Sequence, residues 1–131
     1  MLVLDASAAV QACLAASGFD LFGNEHLTAP ALLWSEAMSV LHEMRWRNEI
    51  SAGLADIAFA RLLAAPVSTP KNLKGLRREA WRVAEELGWM KTYDAEYIAL
   101  ARLSKCRLFT VDARLRRGAG RVVEMIGPED L

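Results

Sequence analysis

The chain has 131 residues, of which 53% are hydrophobic, and its 16 basic and 16 acidic side chains cancel. This length predicts one domain over residues 1–131 with a core of its own, and the apolar content excludes a disordered chain. Zero net charge excludes a protein drawn to nucleic acid by its overall field. Most basic residues nevertheless follow Pro66, so a phosphate-bearing ligand is expected to contact the second half.

The cysteines and the hydropathy pattern indicate the cellular compartment of the protein. Cys13 and Cys106 lie in apolar surroundings and form no CxxC pair, which predicts free thiols in a reducing compartment. No apolar run has the length of a membrane span, and no signal-peptide pattern precedes the first strand. We therefore expect a cytoplasmic protein that makes no membrane contact.

The predicted elements alternate between strands and helices. The first strand covers Leu2–Leu4 and is apolar on both faces, which is typical of a sheet covered on both sides. Strands separated by helices predict parallel pairing with right-handed crossovers. The fold class is therefore α/β, with a central parallel sheet flanked by helices on both faces. Further strands are predicted at 27–29, 67–69, 107–111 and 122–126, and helices at 7–16, 30–47, 52–64, 72–87, 93–104 and 113–117.

Local signals predict how several helices begin and end. Pro30 suits the first position of helix 30–47, and Ser51 and Thr92 suit the N-caps of the helices that follow them. Gly18 is a natural stop for the first helix. Gly118, together with the glycine two residues later, is expected to end the helix at 113–117.

The helix at 72–87 carries Lys74, Arg78 and Arg82 on a different face from its apolar stripe. The favoured interpretation is a solvated face in which Arg82 pairs with Glu86 one turn later. An RNA-contacting face is the alternative. Trp81 also lies off the apolar stripe, which indicates contact with another subunit or protein.

Acidic residues follow the strands of the predicted sheet. Asp5 and Asp112 come directly after apolar strands, and Asp94 opens a buried helix, so all three are expected at the carboxyl edge where ligands bind in such sheets. Glu36 can reach the same edge from a helix flank, although periodicity does not separate it from Glu43. The alternative is that the three aspartates only cap helices or complement helix dipoles.

Carboxylates this close together raise one another's pKa values unless a cation joins them. Mg²⁺ prefers oxygen-rich, partly hydrated sites with one or two carboxylates. One or two such ions can orient a water molecule and stabilise an in-line displacement at phosphorus.

Four segments carry a resemblance to a known family. They are LVLDAS at 2–7, WSEA at 34–37, YDAEYIALA at 93–101 and LFTVD at 108–112. In this order and spacing they resemble the motifs of the PIN-domain family, and most closely those of its VapC-type toxin ribonucleases. The third segment, with its Asp-Ala-x-Tyr-x-Ala-Leu-Ala pattern, is the most specific. The region 66–74 matches no family motif.

The resemblance implies a single PIN domain that cleaves single-stranded RNA with Mg²⁺ or Mn²⁺, through attack of an activated water on phosphorus. It implies a metal site formed by Asp5, Glu36, Asp94 and Asp112, with the Thr110 hydroxyl ordering it. It also implies a homodimer and an inhibitory antitoxin, so that the protein would be the toxin of a VapBC-like type II toxin–antitoxin pair.

Arg114, Arg116 and Arg117 follow Asp112 directly, and they either bind RNA phosphates near the metal or form a solvated turn. Three alternative functions stay open. The first is a catalytically silent PIN-like module that binds RNA or protein, and the second is a PIN nuclease of RNA processing. The third, a phospho-acceptor receiver domain, requires paired acids after the first strand, where Asp5 stands alone.

Overall fold

A computed structural model describes all residues, Met1–Leu131. Five strands and six α-helices alternate along the chain, with two additional 3-10 turns, Gly18–Phe22 and Pro128–Asp130. The elements are β1 Leu2–Leu4, α1 Ala6–Leu14, β2 Leu27–Thr28, α2 Leu32–Trp46, α3 Ala52–Leu63, β3 Val67–Ser68, α4 Leu73–Leu87, α5 Tyr93–Ser104, β4 Arg107–Phe109, α6 Ala113–Ala119 and β5 Met125–Ile126.

All strands pair in parallel in one sheet with the order β3-β2-β1-β4-β5. The predicted α/β fold with a parallel sheet is therefore confirmed. β1 is the central strand, and Leu4 pairs in register with Phe109 of β4. This register places the residues that follow the two strands, Asp5 and Thr110, side by side at the carboxyl edge.

Two buried clusters cover the two faces of the sheet. Val3 and Leu108 belong to a cluster of 23 buried residues, which includes the buried sides of α2, α3, α4 and α5. Leu2, Leu4 and Phe109 belong to a cluster of eight, which is completed by α1, the first 3-10 turn, β2 and β5. Successive strand residues thus point to opposite faces, which explains why β1 is apolar throughout.

The first helix ends earlier than predicted. Asp5 is the N-cap of α1, and Ala15 is extended (ψ 147°), so the helix stops at Leu14 instead of continuing to residue 16. The guanidinium of Arg61 in α3 donates hydrogen bonds to the carbonyls of Cys13 (3.0 Å) and Ala15 (2.6 Å). A helix end leaves carbonyls such as that of Cys13 unpaired, whereas the Ala15 carbonyl also accepts from the amide of Gly18 at 3.1 Å. Both bonds come from a residue distant in the sequence.

Other predicted boundaries also shift. Helix α2 begins at Leu32, two residues after Pro30, and the Thr92 side chain makes no capping hydrogen bond to α5. Helix α6 continues through Gly118 to Ala119, because a glycine costs a helix only about 1 kcal/mol. The last strand is only Met125–Ile126.

The ion pairing expected on α4 is wrong. Arg82 pairs with Glu79 at 3.5 Å, whereas Glu86 pairs with Arg102 of α5 at 2.8 Å. Arg102 also lies 3.5 Å from Glu79, so the acids of α4 bind a cation from the neighbouring helix. The pattern within a single helix could not reveal this competition.

Both cysteines are free thiols, as predicted. Cys13 is a buried free thiol, and Cys106 is a half-buried free thiol. Burial raises the pKa of Cys13 to about 11, which makes this thiol a weak nucleophile. None of the helices combines the length and the apolar character that crossing a bilayer requires.

Candidate active site

Asp5 lies at the carboxyl end of the central strand and is only 5% exposed. Its Oδ1 accepts hydrogen bonds from the Ser7 hydroxyl (2.7 Å) and the Ala8 amide (2.9 Å), and its Oδ2 accepts one from the Thr110 hydroxyl. The bond from Ala8 is the N-cap interaction of α1. Asp5 therefore does cap a helix, but the strand end and three donors also fix its carboxylate at the sheet edge.

Thr110 connects the ends of the two central strands. Its buried hydroxyl donates to Asp5 and accepts from the amide of Asp112 at 3.0 Å. The Ser7 hydroxyl lies 3.3 Å from the same oxygen. Asp112 in turn caps α6, because its Oδ1 accepts from the amides of Arg114 (2.9 Å) and Leu115 (3.3 Å). The hydroxyl of Thr110 thus orders the loop that carries Asp112.

Glu36 is half-buried on α2 and is held by a residue of α5. The hydroxyl of Tyr97, which is 1% exposed, donates a hydrogen bond of 2.6 Å to Glu36 Oε1. Tyr97 lies one turn after Asp94, and residues three apart share a helix face. This bond brings Glu36 to the side of α5 where Asp94 lies, whereas Glu43 remains exposed.

A cavity of about 520 Å³ opens at this edge of the sheet. Three of the predicted carboxylates line it together, from α2, from the start of α5 and from the start of α6: Glu36, Asp94 and Asp112. Asp5 is not among the lining residues and is bound to Thr110 and Ser7 by hydrogen bonds. The segment between α4 and α5 also lines the cavity, through Trp89, Met90 and Lys91.

The carboxylates of this site repel one another. Burial raises the pKa of Asp5, with a smaller contribution from the charge of Asp112. Burial also raises the pKa of Glu36, and the charges of Asp94 and Asp5 add to it, although the Tyr97 hydrogen bond opposes the shift. The pKa of Asp94 rises through burial and then through repulsion by Asp112, against the attraction of Arg114. The four side chains thus share one electrostatic environment.

The acids of this environment fit a hydrated divalent cation. Asp5, Glu36 and Asp94 form no ion pair within 4.0 Å, and Asp112 has only Arg114, at the 4.0 Å limit. No three acidic, histidine or cysteine side chains lie close enough together in this structure to hold a metal ion by themselves. Mg²⁺ is usually held by one or two carboxylates together with water, so an open arrangement of unpaired carboxylates matches its chemistry better than that of a structural metal.

The three arginines after Asp112 have different surroundings. Arg114 is exposed and lines the acidic cavity. Arg116 is bound to the carboxyl-terminal turn through Glu129 and through Asp130 at 3.6 Å. Arg117 is exposed and lies outside the cavity lining. Of the three predicted phosphate contacts, only Arg114 therefore accompanies the acids.

Sequence reasoning assigned no role to Ser7 or Tyr97, although both lie within the motifs. The role of Ser7 has a local signal, because a hydroxyl two residues after a strand-end acid can donate a hydrogen bond back to that carboxylate. For Tyr97 the signal is its position three residues after Asp94. Trp89 and Met90 line the cavity because of the way in which the connection between α4 and α5 folds, and no local sequence pattern indicates this.

Comparisons with known proteins agree with this architecture. The PIN domain family model matches residues 2–121. The chain is 36% identical over 118 residues to VapC ribonuclease Mb0985 of Mycobacterium bovis and to ribonuclease VapC9 of Mycobacterium tuberculosis, covering 88% of this chain and 88% of each relative. The crystal structure of PAE2754 from Pyrobaculum aerophilum superposes with a TM-score of 0.74 at 25% identity, over 98% of this chain and 91% of that one. This chain belongs to the PIN-domain family.

Proposed function

We propose that this protein is a divalent-metal-dependent endoribonuclease that cleaves single-stranded RNA, and that it is the toxin of a VapBC-like type II toxin–antitoxin pair. The observation that carries the proposal is the cavity lined by Glu36, Asp94 and Asp112, with Asp5 near enough for its charge to act on Glu36 and for that of Asp112 to act on it. The relatives named VapC ribonucleases, which match over most of their length, support the same reaction class.

Asp5, Glu36, Asp94 and Asp112 would hold the Mg²⁺ or Mn²⁺ ion. When bound, this cation would supply Lewis-acid polarisation of a phosphodiester and a nucleophilic water at neutral pH. Burial is the main cause of the raised pKa values of these carboxyls, and repulsion between them adds to it. A bound cation would favour the charged forms and so oppose both effects.

The chain's own residues orient these ligands and attract the substrate. Thr110 and Ser7 fix the Asp5 carboxylate, and Tyr97 fixes that of Glu36. Arg114 offers a positive charge on the cavity wall for a phosphate that would otherwise be repelled by the acids. An acidic site with a nearby arginine suits a negatively charged substrate, whose phosphate would bind the divalent cation and Arg114.

The decisive experiment measures cleavage of matched single-stranded RNA, double-stranded RNA and single-stranded DNA with Mg²⁺, with Mn²⁺ and with chelator. Wild type should cleave only with a cation and should favour single-stranded RNA. Asp94→Asn and Glu36→Gln should abolish cleavage while circular dichroism stays native. Glu43→Gln, on the same helix but exposed, is the matched control and should retain activity.

Cleavage that is equal in wild type and Asp94→Asn would overturn the proposed reaction. A wild-type protein that binds RNA but never cleaves it would favour the silent binding module instead.

The toxin role and its setting require separate tests. Expression of wild type in a bacterial host should arrest growth, and Asp94→Asn should not. If a small reading frame adjoins the gene, co-expression of the protein that it encodes should restore growth, and that protein should co-purify with this chain. Sedimentation would test the proposed homodimer, and fractionation of cells would test the proposed cytoplasmic location. Growth arrest that persists in Asp94→Asn would separate toxicity from the carboxylate site.

A further inference from the structure

A second cavity adjoins the acidic one. It has a volume of about 340 Å³ and lies along the end of α4. The two cavities share three lining residues, Gly88, Trp89 and Met90. A linear ligand whose phosphate reaches the carboxylates would therefore pass these three residues to enter the second cavity.

Aromatic side chains lie along this path. Trp81 on α4 lines the second cavity and is 66% exposed, although it lies within a helix whose other large apolar residues are more covered. Trp89 lies at the junction of the two cavities and is half-buried. Tyr93 lines the acidic cavity and is 59% exposed. An exposed ring face in a groove has a free surface on which a planar group can stack.

Trp89 is held in a defined position. Gly88 ends α4 in the left-handed conformation (φ 70°), and the amide of Trp89 donates back to the carbonyl of Ala84 at 2.9 Å. Its ring packs against the main core cluster and reaches Gly118 of α6, where a Cβ would lie 3.7 Å away. A ring that is already fixed loses little side-chain entropy when a ligand stacks on it.

Unpaired cations accompany the aromatic residues. Lys91 lines the acidic cavity, and Arg78 lies one turn before Trp81 on α4; neither forms an ion pair. Arg82, next to Trp81, remains 73% exposed despite its contact with Glu79 at 3.5 Å. Glu85 is the one acid that lines the second cavity. Lys91 therefore supplies positive charge within the acidic cavity, and Arg78 and Arg82 supply it on α4 beside Trp81, outside the lining of either cavity. Aromatic rings with nearby cations are typical of surfaces that bind single-stranded nucleic acid.

We propose that Trp81 and Trp89 form a base-stacking track that guides single-stranded RNA into the acidic cavity. This inference rests on the proposed ribonuclease function and adds the route of the substrate to it. Bases of the strand stack on the two indole rings, while phosphates face Arg78, Arg82 and Lys91. Unpaired bases expose both faces for such stacking, whereas a duplex buries them, so the track also selects for single strands.

A protein partner is the competing occupant of the same surface, and the position of this surface beside the acidic cavity favours RNA. Lys91 lines the acidic cavity, and Arg78 and Arg82 are near Trp81 in α4, whereas the second cavity is itself lined by Glu85 and by no cation. The shared lining residues place the two indoles next to the carboxylates proposed to act on phosphate. A substrate strand must extend beyond the phosphate that is cleaved, and this surface lies where such a strand would continue.

The test compares RNA binding by tryptophan variants in a cleavage-inactive Asp94→Asn background. The ligands are a single-stranded oligoribonucleotide about ten nucleotides long and an abasic oligomer with the same number of phosphates. Trp81→Ala and Trp89→Ala should each weaken binding of the base-containing strand about tenfold and leave abasic binding unchanged. Trp46→Ala is the matched control, since Trp46 is 82% exposed but lines neither cavity.

Trp89→Phe keeps an aromatic face and should retain most of the affinity, which guards against misreading a folding defect in Trp89→Ala. Trp81→Ala removes an exposed side chain, so its effect on RNA binding can be measured without a change in the core. Quenching of tryptophan fluorescence by the base-containing strand should disappear in the double alanine variant.

If wild type cleaves RNA but both alanine variants bind it like Trp46→Ala, the track is overturned while the ribonuclease proposal stands. If they bind RNA normally and change the sedimenting mass, the surface is a protein interface and the track is likewise overturned. A wild-type protein that neither binds nor cleaves RNA would remove both proposals together.

Discussion

The Tyr97 hydroxyl donates a hydrogen bond of 2.6 Å to Glu36 Oε1, which joins α5 to α2 beside the acidic cavity. Tyr97 is buried, whereas Glu36 lines the cavity. The bond is charge-assisted, a type that is shorter and stronger than a bond between neutral groups. Tyr97 is therefore a positioning residue that sets where the Glu36 carboxylate stands, without itself lining the cavity.

Tyr97→Phe should weaken metal binding more than it weakens the fold. Loss of one hydrogen bond should lower the free energy of unfolding by about 1 kcal/mol. Loss of an orienting partner should weaken Mn²⁺ affinity by about tenfold or more. Calorimetric Mn²⁺ titration and chemical denaturation would measure the two effects. Tyr93→Phe is the control, because the Tyr93 hydroxyl makes no hydrogen bond within the chain, and equal affinities in both variants would contradict the positioning role.

Thr110→Val should destabilise the protein and reduce cleavage. Valine has nearly the shape of threonine but leaves the buried Asp5 carboxylate without one donor and the Asp112 amide without its acceptor. Unsatisfied buried groups cost about 1–3 kcal/mol each, which urea denaturation can detect. Thr92→Val is a suitable comparison, since the Thr92 side chain caps no helix. A Thr110→Val protein with wild-type stability would show that the hydroxyl does not order the strand ends.

The acidic cluster should make the metal-free protein less stable as pH rises. The pKa values of Asp5, Glu36 and Asp94 are raised above their ordinary values of 3.8, 4.5 and 3.8. The folded state therefore holds more protons than the unfolded chain above these values, and the stability contributed by the protonated forms is lost as pH rises through the folded pKa values. In chelator, Asp94→Asn should be more stable than wild type at pH 7, and the difference should shrink on acidification.

A divalent cation should reverse this pH effect. Ligands that bind only the folded state stabilise it by mass action, and protons compete with a cation for the carboxylates. Mg²⁺ or Mn²⁺ should therefore raise the melting temperature of wild type more at pH 7 than at pH 5. Asp94→Asn should lose most of this gain, whereas Glu43→Gln should keep it. A cation-induced shift that is equal in wild type and Asp94→Asn would place the ion elsewhere.

Arg114 and Arg117 should differ in their contribution to RNA binding. Arg114 lines the acidic cavity, whereas Arg117 lies outside it. Arg114→Gln should weaken RNA binding and reduce the slope of log affinity against log salt by about one, as expected for one lost phosphate contact. Arg117→Gln should change neither quantity. Binding isotherms over a series of salt concentrations would test the difference, and identical slopes would remove Arg114 from the substrate path.

Local patterns predict the part of this site that depends on strand ends. Asp5 and Asp112 follow apolar strands, and parallel strands always bring their carboxyl ends to one edge. The same logic places Thr110 beside Asp5 once β1 and β4 are neighbours. Chain order alone does not establish that they are neighbours, because strands separated by about 100 residues could occupy several positions in a five-stranded sheet.

Features that depend on packing between helices could not be predicted from periodicity. Glu36 and Glu43 lie on the same flank of α2, and only the reach of Tyr97 from α5 distinguishes them. The capping of α1 by Arg61 likewise depends on how α3 lies against it. In each case the determining contact links residues far apart in sequence, so a single-helix pattern contains no information about it.

The adjacency of β1 and β4 also affects when the protein becomes active during its synthesis. Asp5 emerges first from the ribosome, but its partner Thr110 lies 105 residues later, and contacts of such long range form late. A nascent chain thus remains without its complete acidic site until nearly the whole domain has been translated. For an enzyme proposed to cut RNA, this topology would delay activity until Thr110 and Asp112 have been synthesised.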